Sequence, residues 1–395
     1  MTEVAIAGVG MIPFKKPGQS ESYDIMGAQA AQAALDDAGV TYDRVQQAFA
    51  SYVYGDSCSG QAALYNIGIT SVPIVNVNNN CASGSTAFAL AAQAIKGGIV
   101  DCALAVGFEQ MGRGALDLVF PDRLSPIHRH NRAVADLMHL TEEERALPPA
   151  IQLFGCQVDL LKQRYGVSDH ALARVAVKAR RHAANSPFAI FREPLSEQEV
   201  LDSQLVYRGL HKLYACPPSC GAASVIVCSE EFARKNSLRA DVRLAGQGWC
   251  SDKREFFESD PLDVMFRALS REAATRCYED AGIGPEDIDV IELHDCFTSN
   301  EVITYSALGL CREDEMEQFV MEDQNTYGGK YVVNPSGGLL SKGHPLGATG
   351  LAQITELVWQ LRGTAGARQV PGARTALQHN GGLGSAGFVH IFRKH

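Results

Sequence analysis

The chain has 395 residues, 46% hydrophobic and 20% charged, which is apolar content for one large or two medium compact domains and not the composition of disorder. Its formal net charge of -10 excludes a nucleic-acid surface, which needs Lys and Arg in clustered excess. No run reaches the ~20 apolar residues that span a bilayer, and the start Met-Thr-Glu-Val-Ala-Ile-Ala-Gly carries no basic segment leading into a long apolar one. No membrane contact and no secretion are expected. Eleven cysteines, an odd number without the regular spacing of a disulfide scaffold, read as reduced thiols of a cytoplasmic protein.

Taken in order, the first element is the apolar run Ala5-Ile-Ala-Gly-Val-Gly10, a strand entering glycines. The spacing of Ile25, Ala28, Ala31, Leu35 and Ala38 predicts a helix over 23–38, closed by Gly39 where a left-handed C-cap residue is wanted. A strand around 45–49, an Asn-rich turn before Cys81, an apolar helix over 87–95 and a buried strand over 102–106 follow.

From 112 to 212 the composition turns polar, rich in His, Arg, Glu and Pro. An insertion of that length should carry helices of its own, for which 153–163 and 169–184 are the candidates. Its basic stretches, Lys178 with Arg180, Arg181 and His182, and Arg123 with His128, Arg129 and His130, read first as a solvated helix face and a polar loop; contact with a phosphorylated cofactor is the alternative.

After a strand over 222–227 the pattern starts again. Arg243 to Gly248 repeats Ala5 to Gly10; Glu279-Asp-Ala-Gly282 followed by 288–292 repeats Asp36-Asp-Ala-Gly39 followed by 45–49. His344-Pro-Leu-Gly leading into a helix over 351–361 repeats Cys81-Ala-Ser-Gly leading into 87–95. Three repeats in one order imply two copies of one α/β unit. The copies are bounded as an N-terminal half over 1–111, completed by 213–235, and a C-terminal half over 236–395, with 112–212 as an inserted loop domain.

The residues that carry chemistry sit where these copies correspond. Cys81 follows a strand and a polar turn and opens a helix, whose free N–H groups and positive dipole end favour a thiolate; alone, it reads equally as a small buried apolar side chain. His344 holds the matching place in the second copy, so a pseudo-twofold axis would bring a thiol and an imidazole together as nucleophile and base. In Val290-Ile-Glu-Leu-His294-Asp-Cys296-Phe, strand alternation would put His294 and Cys296 on one side. Zinc is the competing reading of that cluster, but no second ligand pair has zinc-site spacing and Cys216 with Cys220 is not Cys-x-x-Cys, so no metal is expected. Finally, Leu377-Gln-His379-Asn380-Gly-Gly-Leu-Gly384 is a strand entering a glycine turn, where a backbone N–H near Asn380, with that of Cys81, could receive an oxyanion; a plain tight hairpin is the alternative.

On these motifs, Asn-Val-Asn-Asn-Asn-Cys81, Glu-Leu-His294-Asp-Cys296-Phe, Ser-Lys-Gly-His344-Pro-Leu-Gly-Ala-Thr-Gly and Leu-Gln-His379-Asn, the chain resembles the thiolases over essentially its whole length. Within them it resembles the sterol-carrier-protein type of 3-ketoacyl-CoA thiolase. The resemblance implies a five-layered α-β-α-β-α core of two similar halves, a homodimer (a tetramer being the variant), and coenzyme A and acyl-CoA as co-substrates with no permanently bound cofactor. It further implies that Cys81 carries the acyl group, His344 is its base, Cys296 the acid and His294 an oxyanion donor. Gln378 stands where other thiolases have a second cysteine, and Cys296 takes that place in this branch. Ser219-Cys220 departs from the usual Ser-Asp. A ketoacyl-synthase-like condensing enzyme and a catalytically idle acyl-CoA-binding or partner subunit are the rival readings.

Overall fold

A computed structural model describes residues 2–114, 120–258 and 260–395. Its strands, in chain order, are β1 (Val4–Met11), β2 (Gln47–Ser51), β3 (Ile74–Val77), β4 (Cys102–Gln110), β5 (Leu205–Tyr207), β6 (Leu210–His211), β7 (Cys220–Ser229), β8 (Val242–Cys250), β9 (Val290–Glu292), β10 (Val332–Val333), β11 (Thr375–Gly382) and β12 (Ala386–Lys394). All but the β5–β6 hairpin form one sheet in the order β10-β9-β11-β12-β8-β1-β7-β4-β2-β3.

That order is symmetric about the β8–β1 junction, where Ala5 faces Arg243. On either side the directions match as well. β2 lies parallel between β3 and β4 as β9 does between β10 and β11, and β7 and β12 run antiparallel to their neighbours. The first repeat thus supplies the two strands at the seam.

Side-chain alternation builds the layers. Ala103 and Ala105 of β4 pack inward with Phe88, Leu351 and Val358, while Leu104 and Val106 pack outward with Ala30, Ala34 and Leu35. In the other half Val290, Ala376 and Phe392 join the inner cluster, and Ile291, Leu377 and Val389 pack with Leu269, Ala273 and Cys277. The helices Ser83–Lys96 and Thr349–Arg362 therefore fill the middle, with Tyr23–Ala38 and Arg267–Ala281 outside, giving five layers. The repeated glycines set the outer spacing: a Cβ on Gly10 would sit 2.5 Å from the Ala30 carbonyl oxygen, and one on Gly248 2.0 Å from that of Ala273. Gly39 and Gly282 both cap their helices in the left-handed region, as the sequence predicts.

The polar insertion folds into the helices His128–Leu137, Glu142–Arg145, Pro149–Tyr165, Asp169–Ala183 and Glu197–Leu201. Its apolar side, including Leu153, Phe154 and Leu172, shares one cluster with Phe266, Ile303 and Tyr305 of the C-terminal half. The solvated-face reading fails for two of its basic residues. Lys178 is buried in an ion pair with Glu301, and His182 is buried between the Asn334 carbonyl and the Thr326 hydroxyl. Among the described residues, no helix is long and apolar enough to cross a membrane.

Candidate active site

The two middle helices meet at their N-terminal ends, because glycine stands at the crossing in both: a Cβ on Gly350 would lie 2.4 Å from the Ser85 nitrogen, and one on Gly84 2.9 Å from the Gly347 oxygen. This contact carries the turns before each helix to one place. The Sγ of Cys81 and one ring nitrogen each of His294 and His344 lie within 4.8 Å of one another, all three side chains buried.

Cys81 sits in a tight turn with Asn80 left-handed at φ 52°, two residues ahead of the first helical residue, Ser83. The helix end does not make it a resting thiolate. Burial pushes the thiol up to about 12, outweighing the pull of the Leu383 and Cys81 backbone N–H groups, and the Glu109 carboxylate adds to the rise. The thiol is therefore protonated until a base removes its proton. The thiol itself donates to Asn80 Oδ1 at 3.5 Å. Asn380 lies within β11, in register with Phe388, and the turn starts three residues later, at Leu383.

His344 has one nitrogen fixed. The Thr349 hydroxyl donates to the Pro345 carbonyl (2.9 Å) and so accepts from Nδ1–H of His344 (2.7 Å), which leaves Nε2 as the bare nitrogen. That Nε2 is buried with no partner among the described residues. Burial, then the neighbouring His294, hold the ring far below the ordinary imidazole range, so it is neutral at neutral pH and able to take a proton. Ser219 Oγ accepts from the His344 backbone N–H (2.9 Å), and Glu109 accepts from Gly347, Val53 and Tyr54 at 2.9 to 3.0 Å, fixing the loop that follows.

His294 stands edge-on to His344, ring centres 5.1 Å apart at 83°. Burial lowers it to about 3, against the Asn380 side chain, which favours its charged form. Strand alternation does not place it. β9 ends at Glu292 and the backbone turns, with Asp295 N–H donating to the Leu293 carbonyl at 3.1 Å. The Asp295 carboxylate accepts from the Leu339 and Leu340 backbones (2.7 and 3.3 Å), tying the His294–Cys296 segment to the one that leads to His344.

Cys296 is buried, and burial raises its thiol well above the ordinary value, helped by Cys216, Cys81 and Asp295. Cys216 is the residue that sequence reading missed. Its backbone N–H donates to the Cys296 carbonyl at 2.9 Å, beside a bridge between Ala215 and Phe297. No motif marks it, since the contact joins the stretch just after the insertion to a segment 80 residues away. Gln378 donates to Ser85 Oγ (2.9 Å) and Gln353 Oε1 (2.8 Å), so it braces the middle helices.

Next to Cys216 opens a cavity of about 320 Å³ lined by Arg180, Phe191, Lys212 and Leu340. The Arg180 guanidinium lies 4.2 Å over the Phe191 ring. Positive charge at its rim and apolar walls suit a long thioester with a phosphorylated end.

A bare imidazole nitrogen facing a protonated thiol, set between two copies of one α/β unit, is the layout of an acyl-transferring enzyme. The comparisons agree. Residues 4–208 match the thiolase N-terminal domain and 251–394 the thiolase C-terminal domain-like family. Sterol carrier protein 2 of Oryctolagus cuniculus is 47% identical over 398 residues, covering 100% of this chain and 72% of that protein. Among solved structures, an Ltp2-ChsH2(DUF35) aldolase superposes with a TM-score of 0.81 at 23% identity, over 99% of this chain and 98% of the other. Human mitochondrial 3-ketoacyl-CoA thiolase in complex with CoA gives 0.74 at 18%, over 100% and 98%. This chain belongs to the thiolase family of acyltransferases.

Proposed function

We propose that the protein cleaves 3-oxoacyl-CoA by thiolysis, or runs the reverse condensation, through an acyl thioester on Cys81. The Cys81 proton passes to Nε2 of His344, and the thiolate attacks the 3-oxo carbon of the substrate. Its C2–C3 bond breaks, leaving the acyl group on sulfur and the electron pair on C2 of an acyl-CoA enolate. Cys296 gives C2 its proton. Coenzyme A returns a proton to Cys296, attacks the thioester and releases Cys81, which regains its proton from His344.

The supporting observation is the trio itself: Cys81, His294 and His344 with reactive atoms within 4.8 Å and His344 Nε2 without a partner among the described residues. His294 serves the oxyanion of the enolate, and the N–H groups of Cys81 and Leu383 serve that of the thioester carbonyl. The cavity at Arg180 and Lys212 receives coenzyme A. Lipid or sterol side-chain breakdown is the proposed setting, and the likeness to a protein named for carrying sterol supports its lipid character. Chains pair as homodimers through the sheet edge at β3, where Val75 is exposed.

The test is intact-protein mass spectrometry during turnover of 3-oxoacyl-CoA. Wild type gains one acyl mass, and Cys81→Ala gains none and loses thiolysis. A Cys81→Ala protein that cleaves substrate like its parent defeats the proposal. An idle acyl-CoA-binding protein would show no adduct in either form.

A further inference from the structure

The three groups at the reacting centre also have the makeup of a metal site. Among the described residues, Cys81, His294 and His344 are the one group of three His, Cys, Asp or Glu whose ligand atoms lie within 4.8 Å of one another, and all three are buried. They come from three separate segments, so no spacing in the sequence marks them as a set. In a tetrahedral zinc site, with Zn–S about 2.3 Å and Zn–N about 2.0 Å, ligand atoms stand about 3.5 Å apart. From within 4.8 Å, the longest separation needs to shorten by no more than about 1.3 Å, which side-chain rotation supplies.

The state of each group suits a cation. Burial keeps both rings neutral, so each has one nitrogen without a proton. In His344 that nitrogen is Nε2, buried with no partner among the described residues. Its Nδ1 is tied to Thr349 Oγ1 at 2.7 Å, the outer hydrogen bond that orients a metal-ligating imidazole. The Glu109 carboxylate, whose charge is felt at the Cys81 sulfur, favours a cation beside it. One thiolate and two imidazoles, with no oxygen donor among them, select zinc(II) over magnesium or calcium.

We infer that the reacting centre binds one zinc(II) ion through Cys81 Sγ and one ring nitrogen each of His294 and His344, and that the ion masks the thiol against acylation. On binding, the Cys81 thiol proton leaves to solvent, as it does when any thiol becomes a ligand. The sulfur and both nitrogens each give a lone pair to the ion, and nothing is oxidised or reduced. The ligand is the thiolate, so a sulfur that carries an acyl group no longer holds the ion. Zinc and the acyl group therefore exclude each other. The masking rests on the acyl-transfer reading of Cys81; the binding does not.

The test titrates reduced wild type, Cys81→Ser, His344→Gln and Thr349→Val with zinc sulfate against a chromophoric chelator, without acyl-CoA, circular dichroism showing each variant folded. Cobalt(II) is then used in place of zinc, since a thiolate bound to it gives a charge-transfer band. Wild type should take up one ion and show the band, and magnesium should not compete. Cys81→Ser keeps every other thiol, yet it should lose the band and bind zinc at least about 100-fold more weakly, as should His344→Gln. Thr349→Val should weaken zinc about tenfold, the lower end for a lost outer partner. A second arm reads the Cys81 acyl mass from 3-oxoacyl-CoA, without free coenzyme A. Zinc should suppress the adduct and EDTA restore it. Equal zinc affinity in wild type and Cys81→Ser, or an adduct that forms unhindered in the presence of zinc, overturns the inference and leaves the acyl-transfer reading standing. Zinc bound as expected, with no adduct even after EDTA, removes that reading and leaves the zinc site standing.

Discussion

Replacing Gly350 by alanine tests whether the crossing of the middle helices holds the reacting groups in place. The added methyl would stand 2.3 Å from Ser85 Oγ and 2.4 Å from the Ser85 nitrogen, against an ordinary contact of about 3.4 Å. The serine hydroxyl can rotate away, but the backbone nitrogen belongs to the helix that follows Cys81. The helix ends must therefore separate by about 1 Å, the distance at which misplacement costs on the order of 10²-fold in rate. Overpacking in a close-packed interior destabilises by roughly 1–3 kcal/mol, which leaves a folded protein to measure. The assay is kcat for thiolysis at saturating substrate, with circular dichroism and a urea melt on the same samples. Gly350→Ala should lose about two orders of magnitude in kcat while remaining folded. Turnover within threefold of wild type would refute the claim that this contact sets the distance between Cys81 and His344.

Other outcomes follow from single contacts. Thr349→Val removes the acceptor of the His344 Nδ1 proton, freeing the ring to carry its proton on Nε2; kcat should fall about 10²-fold, the scale of a lost general base, with KM little changed. Arg368→Ala strands Glu356, which is fully buried and paired to it at 2.9 Å, and urea denaturation should show a loss of roughly 3–5 kcal/mol. Glu109 is raised by burial to about 7, so the folded protein holds a proton there that the unfolded chain releases from near pH 4.5. The stability contribution of Glu109 is thus present below about pH 4.5 and lost as pH rises to about 7. Melts from pH 4.5 to 7.5 should show Glu109→Gln gaining stability relative to wild type as pH increases, and a constant difference would contradict the assignment.

Much of the fold could be read because duplication printed the same cues twice. Glycines stand where an outer helix meets a strand, at Gly10 and Gly248, and where a helix ends, at Gly39 and Gly282. The helix bounds at 23–38 and the place of Cys81 and His344 at matching helix starts came from short-range pattern. What escaped depended on contacts between distant segments. Lys178 and His182 look like a solvated face until Glu301 and Thr326 are brought beside them, and Cys216 is unremarkable until Phe297 pairs with its neighbour. Asn380 was placed in a turn because two glycines follow it, yet Gly381 and Gly382 extend β11 and the turn falls at Leu383. The thiol of Cys81 was expected to ionise at a helix end; burial outweighs that field, a balance that needs the packed structure to weigh.

The symmetry of strand order about the β1–β8 seam bears on ancestry. A single unit pairing with its twin would have met itself across that seam, with one identical residue on both sides of the reaction chamber. Two thiols would leave no bare nitrogen to take the proton of the nucleophile, and two imidazoles no sulfur to carry the acyl group. Joining the units in one polypeptide let the two positions diverge into sulfur and imidazole, so the chemistry depends on inequality between halves whose backbones stayed alike.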